Sequence, residues 1–211
     1  MDTLSSVDLS SHIPVDELSQ MQSIDASISV QMYRIIHATG RFVDDILEQF
    51  FSGIFRFIPC VSRNRIQEIT AGIPVTIPSA NDSILLLAIC LVTYHPKSTG
   101  KLLPGVDHES LYIATKSLFS QVQTAGFVQS QPSISFIQAC IIIAVYEYAR
   151  GMVDSAFLTI GICARMGYAA GIHEWTSRPG KGTLSKEEGN TWWAILIYER
   201  YIISRMNSRM S

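Results

Sequence analysis

A chain of 211 residues that is 47% hydrophobic and only 16% charged has the material for one sizeable core. Its net charge of −2, with the basic residues scattered, leaves no electrostatic footprint for nucleic acid. The cysteines Cys60, Cys90, Cys140 and Cys163 are too far apart for zinc-finger or zinc-ribbon spacing, and their apolar surroundings mark them as reduced core thiols.

Residues 1–27 are polar and serine-rich, with Pro14 among them and no secretory signature, and read as a flexible leader ahead of a folded part over 28–211. Helical patterning is clear from Val43, where Ile46, Leu47, Phe50, Phe51, Ile54 and Phe55 recur at three- and four-residue steps. Asp44 and Asp45 favour the start of that helix and Pro59 ends it. A short helix is predicted over 63–70, then a turn-rich stretch around Pro74 and Pro78. Asn81, Asp82 and Ser83 are N-cap candidates for a helix over 84–94, which is too apolar all round to lie at the surface. After a loop with Gly100, Pro104 and Gly105, a helix over 109–125 presents Leu111, Ala114, Leu118 and Val122 as its inward face.

The stretch 133–173 is the most apolar part of the chain. It reads as two buried helices joined at Gly151, with Ser135 and Gln138 as a capping box at its head and Gly171 as its stop. The run 134–149 contains Gln138 and Glu147 and is shorter than the roughly 20 apolar residues that a membrane span needs. Gly161, Ala164, Gly167 and Ala170 predict close approach of a neighbouring helix. Past a polar loop over 175–184, Ser185 and Glu188 form a second capping pattern before a helix through Trp192, Trp193, Ile195, Leu196, Tyr198 and Ile202. No useful β-alternation occurs, so the predicted class is all-α, with helical hairpins packed in an α-α array that is incomplete at the C-terminus.

Chemistry-bearing residues are sparse. None of His12, His37, His95, His108 and His173 has metal-ligand spacing to another histidine. Glu147 is costly to bury unpaired, so Arg150 or Arg165 is the expected partner. Trp192 and Trp193 point about 100° apart on a helix, so one should anchor in the core and the other be partly exposed. Arg200, Arg205 and Arg209 make at most a weak basic strip. No phosphate loop, nucleophile elbow or paired catalytic carboxylates are present. The expected catalytic, cofactor-binding and metal-binding residues are therefore none, and an enzyme is not expected.

Five segments in order carry a resemblance: ILEQFFSGIFRFIPCVSRNRIQE (46–68), LLLAICLVTYHP (85–96), LYIATKSLFSQVQTAGF (111–127), SISFIQACIIIAVYEYARGMVDSAFLTIGICARMGYAAGIHE (133–174) and KEEGNTWWAILIYERYI (186–202). Together, over 42–203, they resemble the regulatory domain, or middle homology region, of fungal binuclear zinc-cluster transcription factors. Two departures stand out. Gly189, Asn190 and Thr191 lie where the family commonly has an arginine cluster, a change expected to weaken a surface contact, and Glu199 replaces an aspartate.

The resemblance implies a nuclear, transcription-regulator-like protein of fungal type, with a role in a specialised-metabolite gene cluster as a frequent assignment. It also implies a truncated form, because the six closely spaced cysteines of the zinc cluster and the C-terminal half of the regulatory domain are both missing. Direct DNA binding by this chain alone is then not expected. Its partner would be a protein, either a full-length homologue or the transcription machinery, and no membrane is involved. Two alternatives remain: a helical module binding a small hydrophobic ligand around Phe136, Tyr146 and Trp193, and a fragment with no role of its own.

Overall fold

The computed structural model describes residues 15–71, 77–95, 106–126, 132–174 and 186–210, which are helical with no strand among them. The helices are α1 (Val15–Ala38), α2 (Val43–Ser52), α3 (Arg63–Ala71), α4 (Ala80–Thr93), α5 (His108–Gly126), α6 (Ile134–Ala149), α7 (Val153–Ala169) and α8 (Lys186–Met210). Short 3-10 turns occupy Ile54–Arg56 and Ile172–Glu174. The connections around Pro74 and over 96–105, the loop 175–184 and Ser185 of the second capping pattern lie outside the described residues.

Two helices make the interior. Every residue of α4 from Ser83 to Leu91 is buried, as is every residue of α6 from Ser135 to Ala144. Leu, Ile and Ala on all sides leave such helices no favourable place except between others. α4 packs on α1, α2, α5 and α6, while α6 packs on α4, α7 and α8. The antiparallel α6–α7 hairpin is thus flanked by α4 on one side and α8 on the other. Helix-on-helix packing of this kind is the all-α class expected from the patterning.

α1 is longer than expected. It begins at Val15, inside the segment read as a leader, and its Ile28, Met32 and Ile36 enter the core at four-residue spacing. The Asp25 carboxylate accepts a hydrogen bond from the Ala80 N–H (2.6 Å), so α1 also caps α4.

The N-cap of α4 is Ser79, not Asn81, Asp82 or Ser83. Its backbone is extended, its hydroxyl oxygen accepts from Asp82 N–H (3.1 Å), and that hydroxyl donates to the Asp82 carboxylate (2.7 Å). The Ser135–Gln138 capping box does not form, because α6 starts one residue before Ser135. Ser135 instead donates to Asp82 (2.6 Å) and accepts from Arg65 (2.6 Å), tying α3, α4 and α6 together.

Other boundaries hold with small shifts. α2 stops at Ser52, and Ile54 and Phe55 reach the same core from the following turn. On α5 the inward face uses Thr115 and Phe119 beside Leu111, Leu118 and Val122, with Ala114 only partly buried. Thr115 tolerates burial because its hydroxyl donates to Leu111 C=O (2.8 Å). At the α6–α7 turn, Gly151 (φ +78°) takes the left-handed conformation. Its N–H reaches Tyr148 C=O, and Met152 N–H reaches Glu147 C=O, closing the helix end. Gly171 (φ +71°) ends α7 in the same conformation.

Candidate protein-contact face

Besides Ser135, two buried polar side chains of α6 fix the elements around it. Gln138 donates from Nε2 to Cys60 C=O (2.7 Å), to the Glu187 carboxylate (2.9 Å) and to Thr191 Oγ1 (3.3 Å). Glu187 also accepts from Ser62 N–H (3.2 Å), and Thr191 donates to Glu187 C=O (2.7 Å). This cluster seats the first turns of α8 against α6 and the segment after Pro59. Thr191 is fully buried, so at that position the departure from the family pattern affects the interior and not a surface contact. Gly167 completes the seat: a Cβ there would lie 3.1 Å from Ile195 Cδ1 and from the Trp192 ring. Of the two glycines among the small residues of α7, Gly167 thus makes the predicted close approach, while a Cβ at Gly161 would meet only the Arg165 side chain.

The second buried polar group is Glu147, wholly inaccessible, whose partners come from α5. Lys116 Nζ lies 2.9 Å from its carboxylate and Tyr112 OH donates to it at 2.7 Å. Lys116 donates as well to Thr159 Oγ1 (3.0 Å) on α7. Arg150 and Arg165 were the expected partners, but Arg150 is exposed at the C-cap of α6 and Arg165 donates to Gly161 C=O on its own helix. Sequence proximity favoured arginines of the hairpin; Glu147 instead faces α5, where Tyr112 and Lys116, four residues apart, share one face. Burial raises the Tyr112 pKa, reinforced by the hydrogen bond to Glu147, so the phenol stays a donor.

The remaining candidate groups are placed as core or surface. All four cysteines are free and buried. Burial pushes the Cys60 thiol up to about 12 and Cys90 up to about 11. Cys163 is raised well above its ordinary value by burial and by neighbouring Cys140. Such thiols stay protonated and are poor nucleophiles or metal ligands. His37 and His95 are exposed, His108 packs edge-on against Tyr94, and His12 lies outside the described residues. Among the described residues no three His, Cys, Asp or Glu side chains converge as a metal site. Phe136, Tyr146 and Trp193 do not line one cavity: Phe136 stacks on Phe119 (4.6 Å), Tyr146 on Tyr112 (5.7 Å), and Trp193 is at the surface.

α8 presents two unlike faces. Inward, Trp192 is buried, its ring edge-on to Tyr168 (5.1 Å), with Ala194, Ile195 and Ile202 beside it. Outward, Trp193, Ile197 and Tyr201 are 52%, 47% and 60% exposed. The expected split of the tryptophan pair is therefore observed. Tyr198 OH donates to Phe57 C=O (2.9 Å), and the Phe57 ring is itself exposed. A contiguous run of exposed aromatic and aliphatic side chains is characteristic of a surface that meets another molecule. Arg200 and Arg205 stand exposed on the same helix; the Arg209 side chain is outside the described residues. Among the described residues no helix is long and apolar enough to cross a membrane.

The fungal-specific transcription factor domain matches residues 47–209. Transcription factor BOA15 of Botryotinia fuckeliana is 27% identical over 137 residues, covering 62% of this chain and 68% of that protein. Transcription factor AN6788 of Emericella nidulans is 28% identical over 102 residues, covering 46% of this chain and 15% of that protein. No solved structure matches this chain. The matched domain takes in α3 to α8, including both buried polar clusters and the outer stripe of α8. This is a transcription-regulator-like chain, and it belongs to the fungal-specific transcription factor domain family.

Proposed function

We propose that this chain is a nuclear regulator of fungal transcription that acts through protein contacts, without catalysis and without recognising DNA by itself. The observation that carries the reading is the outer face of α8, apolar and aromatic in a helix whose other side is locked into the core. The contact it makes is with a homologous regulator or with the transcription machinery. The net charge of −2 argues against phosphate tracking. The BOA15 relative supports the reading too. That protein carries the description of transcription factor. A link to a specialised-metabolite gene cluster belongs to the same proposal and rests on the family alone.

Two measurements test it. In an electrophoretic shift assay the purified chain should bind duplex DNA only weakly and lose that binding as salt rises; tight, salt-resistant, sequence-selective binding would overturn the proposal. Fused to a heterologous DNA-binding module in a fungal host, the chain should change reporter output, and Ile197→Glu should abolish the change. A reporter indifferent to the fused chain counts against a regulatory role.

A further inference from the structure

We infer that the outer face of α8 docks an acidic, amphipathic helical segment of another protein, one whose carboxylates flank an apolar stripe. The inference deepens the reading of that face as a contact surface and rests on it. Trp193, Ile197 and Tyr201 follow one another at four-residue steps and are all exposed, so a continuous apolar strip is open to a partner. The way α8 sorts its charges singles out the occupant.

The glutamates Glu187, Glu188 and Glu199 are all half-buried, whereas the cations Lys186, Arg200 and Arg205 are all exposed. Glu187 already accepts from Gln138 and from Ser62 N–H in the seat of the helix. At about 100° per residue, Glu188 and Glu199 fall on the inward half of α8, with Ile195 and Ile202. On the neighbouring turn, Glu174 faces His173 (3.7 Å). α8 thus turns its carboxylates toward the bundle and its cations toward solvent.

The cations also frame the stripe. Arg200 projects about 60° to one side of Ile197 and Arg205 about 80° to the other. Lys186 lies in line with the stripe, about 10 Å before Trp193 along the axis. Neither arginine forms a salt bridge among the described residues. A basic partner would be repelled by all three cations, and a neutral one would leave both guanidinium groups at the rim without counter-charge. A helix with an apolar face flanked by Asp or Glu meets both demands. Its apolar side chains cover Trp193, Ile197 and Tyr201, while each arginine donates paired hydrogen bonds to a carboxylate. The aromatic centre then supplies most of the affinity, and the charged rim supplies selection and approach. From Lys186 to Arg205 the face is about 28 Å long, the length of a helix of about 19 residues.

Fluorescence anisotropy with the full chain tests the assignment. The probe is a labelled synthetic helical peptide of about 19 residues, with Leu and Phe on one face and Glu along both flanks. Its control carries Lys in place of every Glu. The acidic peptide should bind in the micromolar range, and the lysine peptide about tenfold more weakly or worse. Arg200→Glu combined with Arg205→Glu should reverse that order at an unchanged thermal midpoint, since both side chains are exposed. Arg200→Lys combined with Arg205→Lys should preserve it, and Ile197→Glu should abolish binding of both peptides. Equal binding of the two peptides, a preference for the lysine peptide, or an acidic-peptide affinity indifferent to the double charge reversal overturns the inference. The reporter separates this from the broader reading. A chain that ignores the acidic peptide but loses reporter activity with Ile197→Glu meets a different partner, which sinks the acidic occupant and leaves the contact surface. A chain that binds the peptides as expected while the reporter stays silent sinks the regulatory reading and leaves the docking face.

Discussion

Two of the polar side chains that α6 buries, Gln138 and Glu147, lie toward its opposite ends and meet different physical demands. Gln138 is neutral and its amide nitrogen serves three acceptors, a backbone carbonyl, a carboxylate and a hydroxyl, on two other elements. Glu147 is a carboxylate with no access to solvent, held by one lysine and one tyrosine from α5. Losing a neutral hydrogen bond costs the desolvation of the group left behind, whereas losing the partner of a buried charge costs several times more. The two clusters therefore fasten α8 and α5 to the same helix with different force, the charged one holding the arm that bears no contact surface. The side of the molecule that carries the outer stripe is seated by a neutral amide, the half-buried Glu187 carboxylate and close packing.

The largest effect should come from the charged cluster. Lys116→Met keeps most of the volume of the lysine stem but strips Glu147 of its only cation among the described residues. We expect a loss of about 3–5 kcal/mol in denaturant unfolding. Glu147→Gln should cost less, because Lys116 is 29% exposed and can turn its ammonium toward water. The double substitution should be more stable than Lys116→Met alone. If Lys116→Met were the milder of the two single changes, the ion pair would not be what holds α5. At the other end, Gln138→Leu should cost about 1–3 kcal/mol by leaving Cys60 C=O and the Glu187 carboxylate short of a donor. Its distinctive outcome lies in α8, where amide hydrogen exchange near Thr191 should rise more than exchange in α5. Equal rises in both helices would mean that the two clusters are one cooperative unit.

How these clusters were or were not legible in the sequence follows from what local patterns can encode. The interior status of α4 and α6 was plain, because apolar residues on every side of a helix permit no other location. The split between Trp192 and Trp193 followed from helical geometry alone. The partner of Glu147 was hidden: choosing Lys116 over Arg150 required knowing that α5 crosses the far end of α6, and that is a tertiary fact. The one readable hint was Tyr112 and Lys116 at i,i+4 on a helix otherwise facing the core. Ser135 and Gln138 misled because a capping-box spacing also arises when both side chains are used for longer-range bonds. The apolar character of the outer stripe was visible in the residues, but its exposure depended on where α7 and α6 cover α8.

The finest distinction is between two glycines of α7 that the sequence presents as equivalent. At Gly161 an added methyl would sit 3.5 Å from the Arg165 guanidinium, ordinary contact with a movable side chain. At Gly167 it would sit 3.1 Å from both Ile195 and Trp192, two residues of the locked face of α8. Both substitutions gain up to about 1 kcal/mol of helix propensity. At Gly161 nothing opposes that gain, so Gly161→Ala should stabilise the chain by about 0.5–1 kcal/mol. At Gly167 overpacking opposes it at about 1–3 kcal/mol, leaving a net loss that should fall within about 2 kcal/mol. Opposite signs in paired thermal melts are the expected result. If Gly167→Ala also stabilised, the seat between α7 and α8 would have slack, and the inner face of α8 would be held by the Gln138 cluster alone.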